Sequence, residues 1–153
     1  MKSLIVYCSD YKHNTEKIAR VFAEKINADL MNLKETKEIS IDEYNLIGFG
    51  SGVYKENLSP KIFKIAEKLN LTDKNVFVFS TSGIGAKFYN KKLINLLLSK
   101  GGSYKGSFAC KGSFDSKSFS NIKIFEIMSK FAVGHPNDKD VNKAENFISK
   151  VVH

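Results

Sequence analysis

The sequence predicts an α/β fold with a parallel sheet covered by helices on both faces. Short apolar runs rich in β-branched and aromatic residues alternate with amphipathic helical patterns from end to end. The runs are continuously apolar rather than alternating, as expected of strands buried on both sides. At 153 residues the chain buries a core without a metal or disulfide staple, and no linker or internal repeat divides it, so a single domain over 1–153 is expected.

The first strand is expected at residues 3–8, SLIVYC. Residues 14–26 carry Ile18, Ala19, Phe22, Ala23 and Ile26 at helical spacing, with Asn14 or Thr15 as cap. A weak second strand covers 30–33, and the polar stretch KETKEISIDE argues against a helix after it. A third strand covers 44–49 and runs into glycine-rich sequence. Ser59 and Pro60 supply a cap and a first-turn proline for a second helix through Ile62, Phe63, Ile65, Ala66 and Leu69. The fourth strand is 76–80, the third helix 87–98, stopped by Gly101 and Gly102, and the fifth strand includes 107–110. Asn137 caps a last helix, with Asp138 and Asp140 in its first turn where the dipole favours them.

Ligands of parallel sheets sit beyond the carboxyl ends of the strands, so the loops there carry the functional signal. After strand one, Ser9, Asn14 and Thr15 bring hydroxyls and an amide to a helix start, where backbone N–H groups favour an anion. The residues separate the families that bind phosphate at this place. The first glycine in the chain is Gly48, which excludes a G-x-G-x-x-G dinucleotide turn, and no Gly-Lys-Ser/Thr follows a glycine-rich loop. A tyrosine phosphatase loop would need arginine six residues after Cys8, where Asn14 stands. A response regulator would need a phosphorylatable aspartate after strand three, where Gly50, Ser51 and Gly52 stand. After strand three, Gly48, Gly50 and Gly52 let backbone approach a flat ligand, beside the aromatic face of Tyr54. After strand four, Thr81, Ser82 and Gly83 repeat the pattern of small hydroxylated residues and glycine.

These three loops together resemble the flavodoxin family, over essentially the whole chain. Ser9, Tyr11, His13, Asn14 and Thr15 resemble its FMN phosphate loop, with His13 where glycine is usual. Ser51, Gly52, Val53 and Tyr54 resemble the first loop beside the isoalloxazine, and Thr81, Ser82 and Gly83 the second. The resemblance implies a flavodoxin-like three-layer α/β/α sandwich with a five-stranded parallel sheet in order 2-1-3-4-5. It also implies non-covalent FMN, which carries the chemistry while the fold tunes it. Gly52–Val53 is the candidate peptide for turning a carbonyl toward the flavin N5.

The implied function is an FMN-binding carrier of electrons between redox partner proteins, rather than an enzyme. The alternative is an FMN-dependent oxidoreductase of the NAD(P)H/quinone or protoporphyrinogen type. Residues 112–135 are expected to form an insert before the last helix, with a short amphipathic helix at 122–131, that either covers core or shapes a substrate or partner site, and Asp115 is expected to border the flavin there. His135, before Pro136, is expected to be a structural turn residue.

Lys+Arg number 24 against 16 Asp+Glu, for a net charge of +8. Lys74, Lys87, Lys91, Lys92, Lys100, Lys105 and Lys111 lie in a span, 74–114, without one acidic residue. Such a patch suits acidic redox partners docking on a Lys-rich face. Arg20 is the only arginine, which argues against sequence-specific nucleic-acid reading. Cys8 and Cys110 sit in apolar runs without metal-ligand spacing, and are expected to be buried thiols. No apolar run approaches the ~18 residues of a membrane span, and the first one is too short for a signal-peptide core. A cytoplasmic location is expected.

Overall fold

The computed structural model describes residues 1–9, 13–35, 38–112 and 134–153. Along the chain lie β1 (Ser3–Cys8), α1 (Asn14–Ile26), β2 (Asp29–Asn32), β3 (Leu46–Tyr54), β4 (Asn57–Leu58) and α2 (Pro60–Glu67). They are followed by β5 (Asn75–Ser82), a 3₁₀ turn (Lys87–Asn90), α3 (Lys91–Ser99), β6 (Ser103–Lys111) and α4 (Asp138–Val152). The expected helix at 122–131 and Asp115 lie outside the described residues, as does Tyr11.

The sheet order is β2-β1-β3-β5-β6, and every neighbouring pair on that path is parallel. The two-residue β4 stands off the path, antiparallel to β3. With β4 set aside, the five parallel strands have the order 2-1-3-4-5. The register places Val6 opposite Phe49, Phe49 opposite Val78 and Phe79 opposite Phe108.

Each central strand sends alternate residues to opposite faces, and both faces are packed. Leu4, Val6, Ile47, Phe49, Val76 and Val78 meet Ile62 and Ile65 of α2 and Leu93 and Leu97 of α3. On the other face Ile5, Phe77, Phe79 and Phe108 meet Ile18 and Phe22 of α1 and Ala144 and Ile148 of α4. Phe22 is the centre of this second layer, edge-on to Phe77, Phe79 and Phe108 at 5.6, 5.0 and 5.7 Å between centroids.

This layer explains two of the glycines in β3. A Cβ at Gly48 would stand 2.3 Å from the Phe77 ring, and one at Gly50 2.1 Å from the Phe79 ring. Both rings are fully buried, so the sheet's close approach to the aromatic layer depends on the absent side chains.

The helix ends follow sequence chemistry. Ser59 Oγ accepts from Lys61 N at 3.3 Å, with Pro60 in the first turn of α2. Asn137 and Asp140 form a reciprocal capping box on α4. The cap of α1 differs from expectation: it is His13, in the left-handed region at φ 55° and ψ 25°, with no side-chain cap bond. Ser9 supplies the missing acceptor, its Oγ lying 3.2 Å from Glu16 N. The expected third helix is also modified, since its first turn, Lys87–Asn90, is 3₁₀.

Candidate functional site

Thr15, Gly52 and Thr81 meet at the carboxyl edge of the sheet. Gly52 and Thr81 are partners in the β3–β5 ladder. Thr15, in the first turn of α1, places its Oγ1 2.8 Å from Thr81 Oγ1. Thr15 Oγ1 also lies 3.6 Å from where a Cβ on Gly52 would stand. Both threonines are buried, so this hydroxyl pair ties the start of α1 to the ends of the central strands. It lies beside the point where the sheet order reverses between β1 and β3.

Ser9 is buried next to the same helix start, its hydroxyl engaged with Glu16 N. That bond uses the oxygen as acceptor and leaves the hydroxyl proton available to an anion. His13 is the exposed member of the turn, with its side chain 72% exposed and Nδ1 3.4 Å from Glu16 Oε2. Glu16 also accepts from the Tyr7 hydroxyl at 2.9 Å and pairs with Arg20 at 3.6 Å. Burial, and then the Glu16 carboxylate, push the Tyr7 phenol up to about 12. Asn14 packs against the end of β6: a Cβ on Gly112 would stand 2.8 Å from Asn14 Nδ2.

The second loop is strand rather than turn. Residues 50–54 complete β3, because Gly52 pairs with Thr81 on one side and Val53 with Leu58 on the other. The Gly52–Val53 peptide thus joins a residue paired with β5 to one paired with β4. The actual turn is Lys55–Glu56, with both residues at positive φ, 48° and 68°, as a two-residue hairpin between twisted strands requires. Ser51 faces α2, fully buried, donating to Gly52 O at 2.7 Å and accepting from Ser59 N at 2.9 Å. It joins β3 to α2. Val53 packs on the aliphatic layer. Tyr54 leans back along its own face, its hydroxyl 2.9 Å from the Cβ position of Gly52. A side chain at 52 would displace the tyrosine.

In the third loop, Thr81 and Ser82 belong to β5 and the turn begins at Gly83. Ser82 Oγ accepts from Gly85 N at 2.8 Å and Ser82 O from Gly112 N at 2.9 Å, which anchors the turn to β6. His135 precedes Pro136, whose carbonyl accepts from Lys17 Nζ of α1 at 2.6 Å. The His135 Nδ1 meets Asp140 Oδ2 in the cap of α4, as expected of a turn residue.

A flavodoxin domain model matches residues 4–149. The chain belongs to the flavodoxin family. It is 38% identical to an uncharacterized protein of Methanocaldococcus jannaschii, covering 99% of both chains. Among solved structures it is similar to oxidised flavodoxin 1 from Bacillus cereus, with 20% identity, a TM-score of 0.69, and 99% and 97% of the two chains covered. A flavodoxin from the domain Archaea matches over 100% of both chains, with 15% identity and a TM-score of 0.67. The rubredoxin oxygen:oxidoreductase of Desulfovibrio gigas matches at 19% identity and a TM-score of 0.70. The match covers 98% of this chain and 35% of that one, so the chain spans about a third of that enzyme.

Within the family framework, the departure at His13 has a backbone consequence. The position is left-handed, the conformation glycine adopts at no steric cost, so the histidine side chain there carries backbone strain. Among the described residues no group of His, Cys, Asp and Glu is arranged to hold a metal, and no helix is long and apolar enough to cross a membrane. Both cysteines are buried thiols. Burial, and then Asp140, push the Cys110 thiol up to about 12, which makes it a poor nucleophile.

Sequence reasoning missed one feature of this edge. Phe88 and Tyr89 follow the third loop, and Phe88 is 65% exposed. Tyr89, Leu93 and Leu97 recur at four-residue spacing on the buried face. Phe88 lies off that stripe, and this was the available signal.

Proposed function

We propose that the chain is a flavodoxin-type electron carrier that binds FMN without covalent attachment. The observation that supports the reading best is the convergence of the α1 start, the end of β3 and the end of β5 at one edge, joined by the Thr15–Thr81 hydroxyl bond. When bound, FMN supplies the capacity to take and release electrons. The chain's own groups then bind and orient it. Ser9 and Asn14, with backbone N–H groups at the start of α1, hold the phosphate. Exposed His13 borders that anion, with Tyr11 assigned to the same loop. Gly52 and Tyr54 form one wall of the ring slot, and Ser82 and Gly83 the other, with Asp115 assigned to its border. Thr15, Thr81, Ser51 and Val53 set the wall spacing from behind. The +8 net charge favours electron storage on the ring by lowering the cost of added negative charge.

The test is an absorbance spectrum of the purified protein, followed by titration into FMN while flavin emission is monitored. A yellow protein, or stoichiometric quenching, is expected. Colourless material that leaves the emission unchanged would overturn the reading.

The likeness to part of the D. gigas oxidoreductase favours a second reading, an FMN-dependent oxidoreductase. Oxidation of NAD(P)H by the purified protein without an added reductase separates it from the carrier.

A further inference from the structure

The turns that follow β3 and β5 frame a second surface. Glu56 and Asn57 of the hairpin face Phe88, Tyr89, Lys91 and Lys92 across an open cleft of about 460 Å³. Phe88 and Tyr89 lie 4.3 Å apart between ring centroids. Tyr89 is packed on the aliphatic core, so the exposed Phe88 ring rests on an anchored neighbour. Lys92 Nζ lies 5.6 Å from the Phe63 ring centroid, which holds one cation at the rim. Lys87 opens the 3₁₀ turn and Lys111 ends β6, both at the same edge of the sheet. Among the described residues, Glu56 is the one carboxylate lining the cleft.

We propose that this cleft docks an acidic partner protein, which seats an apolar side chain against Phe88 and sets carboxylates opposite Lys91 and Lys92. The inference deepens the electron-carrier reading, and rests on it for the partner being a redox protein. Charge complementarity selects the occupant. An exposed aromatic at the centre with cations around it is the anatomy of a protein interface, whereas small-molecule sites enclose most of their ligand. The hairpin turn of the cleft directly follows Tyr54, so a docked protein lies against the edge of the proposed ring slot.

The test is amide NMR of the purified protein titrated with a short peptide of glutamates and aspartates around one leucine. The same peptide with lysines in place of the acids, and inorganic pyrophosphate, serve as controls. The acidic peptide is expected to shift amides around residues 55–57 and 87–92, with affinity falling about tenfold between low and high salt. Lys91→Glu with Lys92→Glu is expected to abolish the shifts. Phe88→Ala, at an exposed position that folding does not depend on, should weaken binding about fivefold and leave the salt dependence unchanged. Three outcomes overturn the proposal: shifts elsewhere or none, equal binding of the lysine peptide, or pyrophosphate reproducing the pattern with Phe88→Ala silent. Flavin content is read from the absorbance of the same sample. Colourless protein that binds the peptide defeats the flavin reading alone, and yellow protein that does not bind it defeats the docking proposal alone.

Discussion

The hydroxyl of Thr15 lies 2.8 Å from that of Thr81, across 66 residues of sequence and out of contact with water. This bond fixes the first turn of α1 against the end of β5, and so sets the distance between the two walls of the candidate site. Truncating one partner leaves the other hydroxyl buried and unpaired, whereas replacing both removes the demand. Thr15→Val and Thr81→Val are each expected to cost about 1–2 kcal/mol, and the double variant less than their sum. Urea denaturation of the four proteins measures the coupling. Strict additivity would show that the hydroxyls do not interact.

His13 holds a left-handed backbone that costs a non-glycine residue roughly 1 kcal/mol. His13→Gly removes that strain, loses the Glu16 contact and adds unfolded-state freedom. The net expectation is a protein as stable as the parent, or up to ~1 kcal/mol more stable. His13→Val places a β-branched residue where it is disfavoured and is expected to lose about 1–2 kcal/mol. Chemical denaturation should rank glycine, histidine and valine in that order, and a valine variant as stable as the parent contradicts the local geometry.

Gly50 is packed against the Phe79 ring, which is in turn held edge-on by Phe22. The ring has no free space to retreat into. Gly50→Ala is therefore expected to destabilise by about 3 kcal/mol, the upper range of overpacking. Shortening Phe79 to leucine in the same chain should recover part of the loss. Thermal unfolding of the single and double variants tests this, and a purely additive double variant would refute the steric account.

Alkaline pH should unfold the protein through groups that the fold keeps protonated. Burial first, and then Asp140, raise the Cys110 thiol from 9.0 to about 12. The Tyr7 and Tyr44 phenols rise from 10.0 to about 12, Tyr7 chiefly by burial and Tyr44 chiefly by its bond to Asp29. All three are neutral acids with a folded value above the unfolded one. Above the unfolded value the native state binds more protons, so stability falls as pH rises. Their contribution is complete below pH 9 and is lost progressively toward pH 12. Between 9.0 and 10.0 the thiol is the first of the three to act, with a limiting slope of about 1.4 kcal/mol per pH unit. Cys110→Ala is expected to flatten that part of the stability curve. An unchanged slope in denaturation midpoints removes the thiol from the account.

The strands were legible because residues such as Ile5, Ile47 and Val78 form continuous apolar runs, and only a sheet covered on both faces has use for them. Glycines suggest turns, so the sequence pattern alone ends the third strand at Phe49. Gly48, Gly50 and Gly52 recur with period two, however, and that is a strand signal once Phe77, Phe79 and Tyr54 fill the space beside them. The three loops at one edge were legible, but the bonds among their hydroxyls were not. Thr15 and Ser51 read as cofactor-binding residues in one dimension, whereas their bonds with Thr81 and Ser59 join partners that only the tertiary fold brings near. The acid-free lysine span was legible in composition and misleading in space. Lys87, Lys91, Lys92 and Lys111 reach the candidate edge, whereas Lys74 is bonded to Asp42 O and Tyr44 O at the opposite end of the strands.

The two faces of the sheet differ in kind: Phe22, Phe77, Phe79, Phe108 and Phe147 crowd one side, and the other is chiefly aliphatic. Ring currents from that crowd bear on the methyl groups of Ile5, Ile18, Ala144 and Ile148, moving their resonances away from ordinary positions. The rings on the other side, Tyr44, Phe49, Phe63 and Tyr89, act on a different set of methyl groups. One proton spectrum thus carries a separate fingerprint for each half of the core, and can show whether α1 and α4 detach before α2 and α3 when the molecule opens.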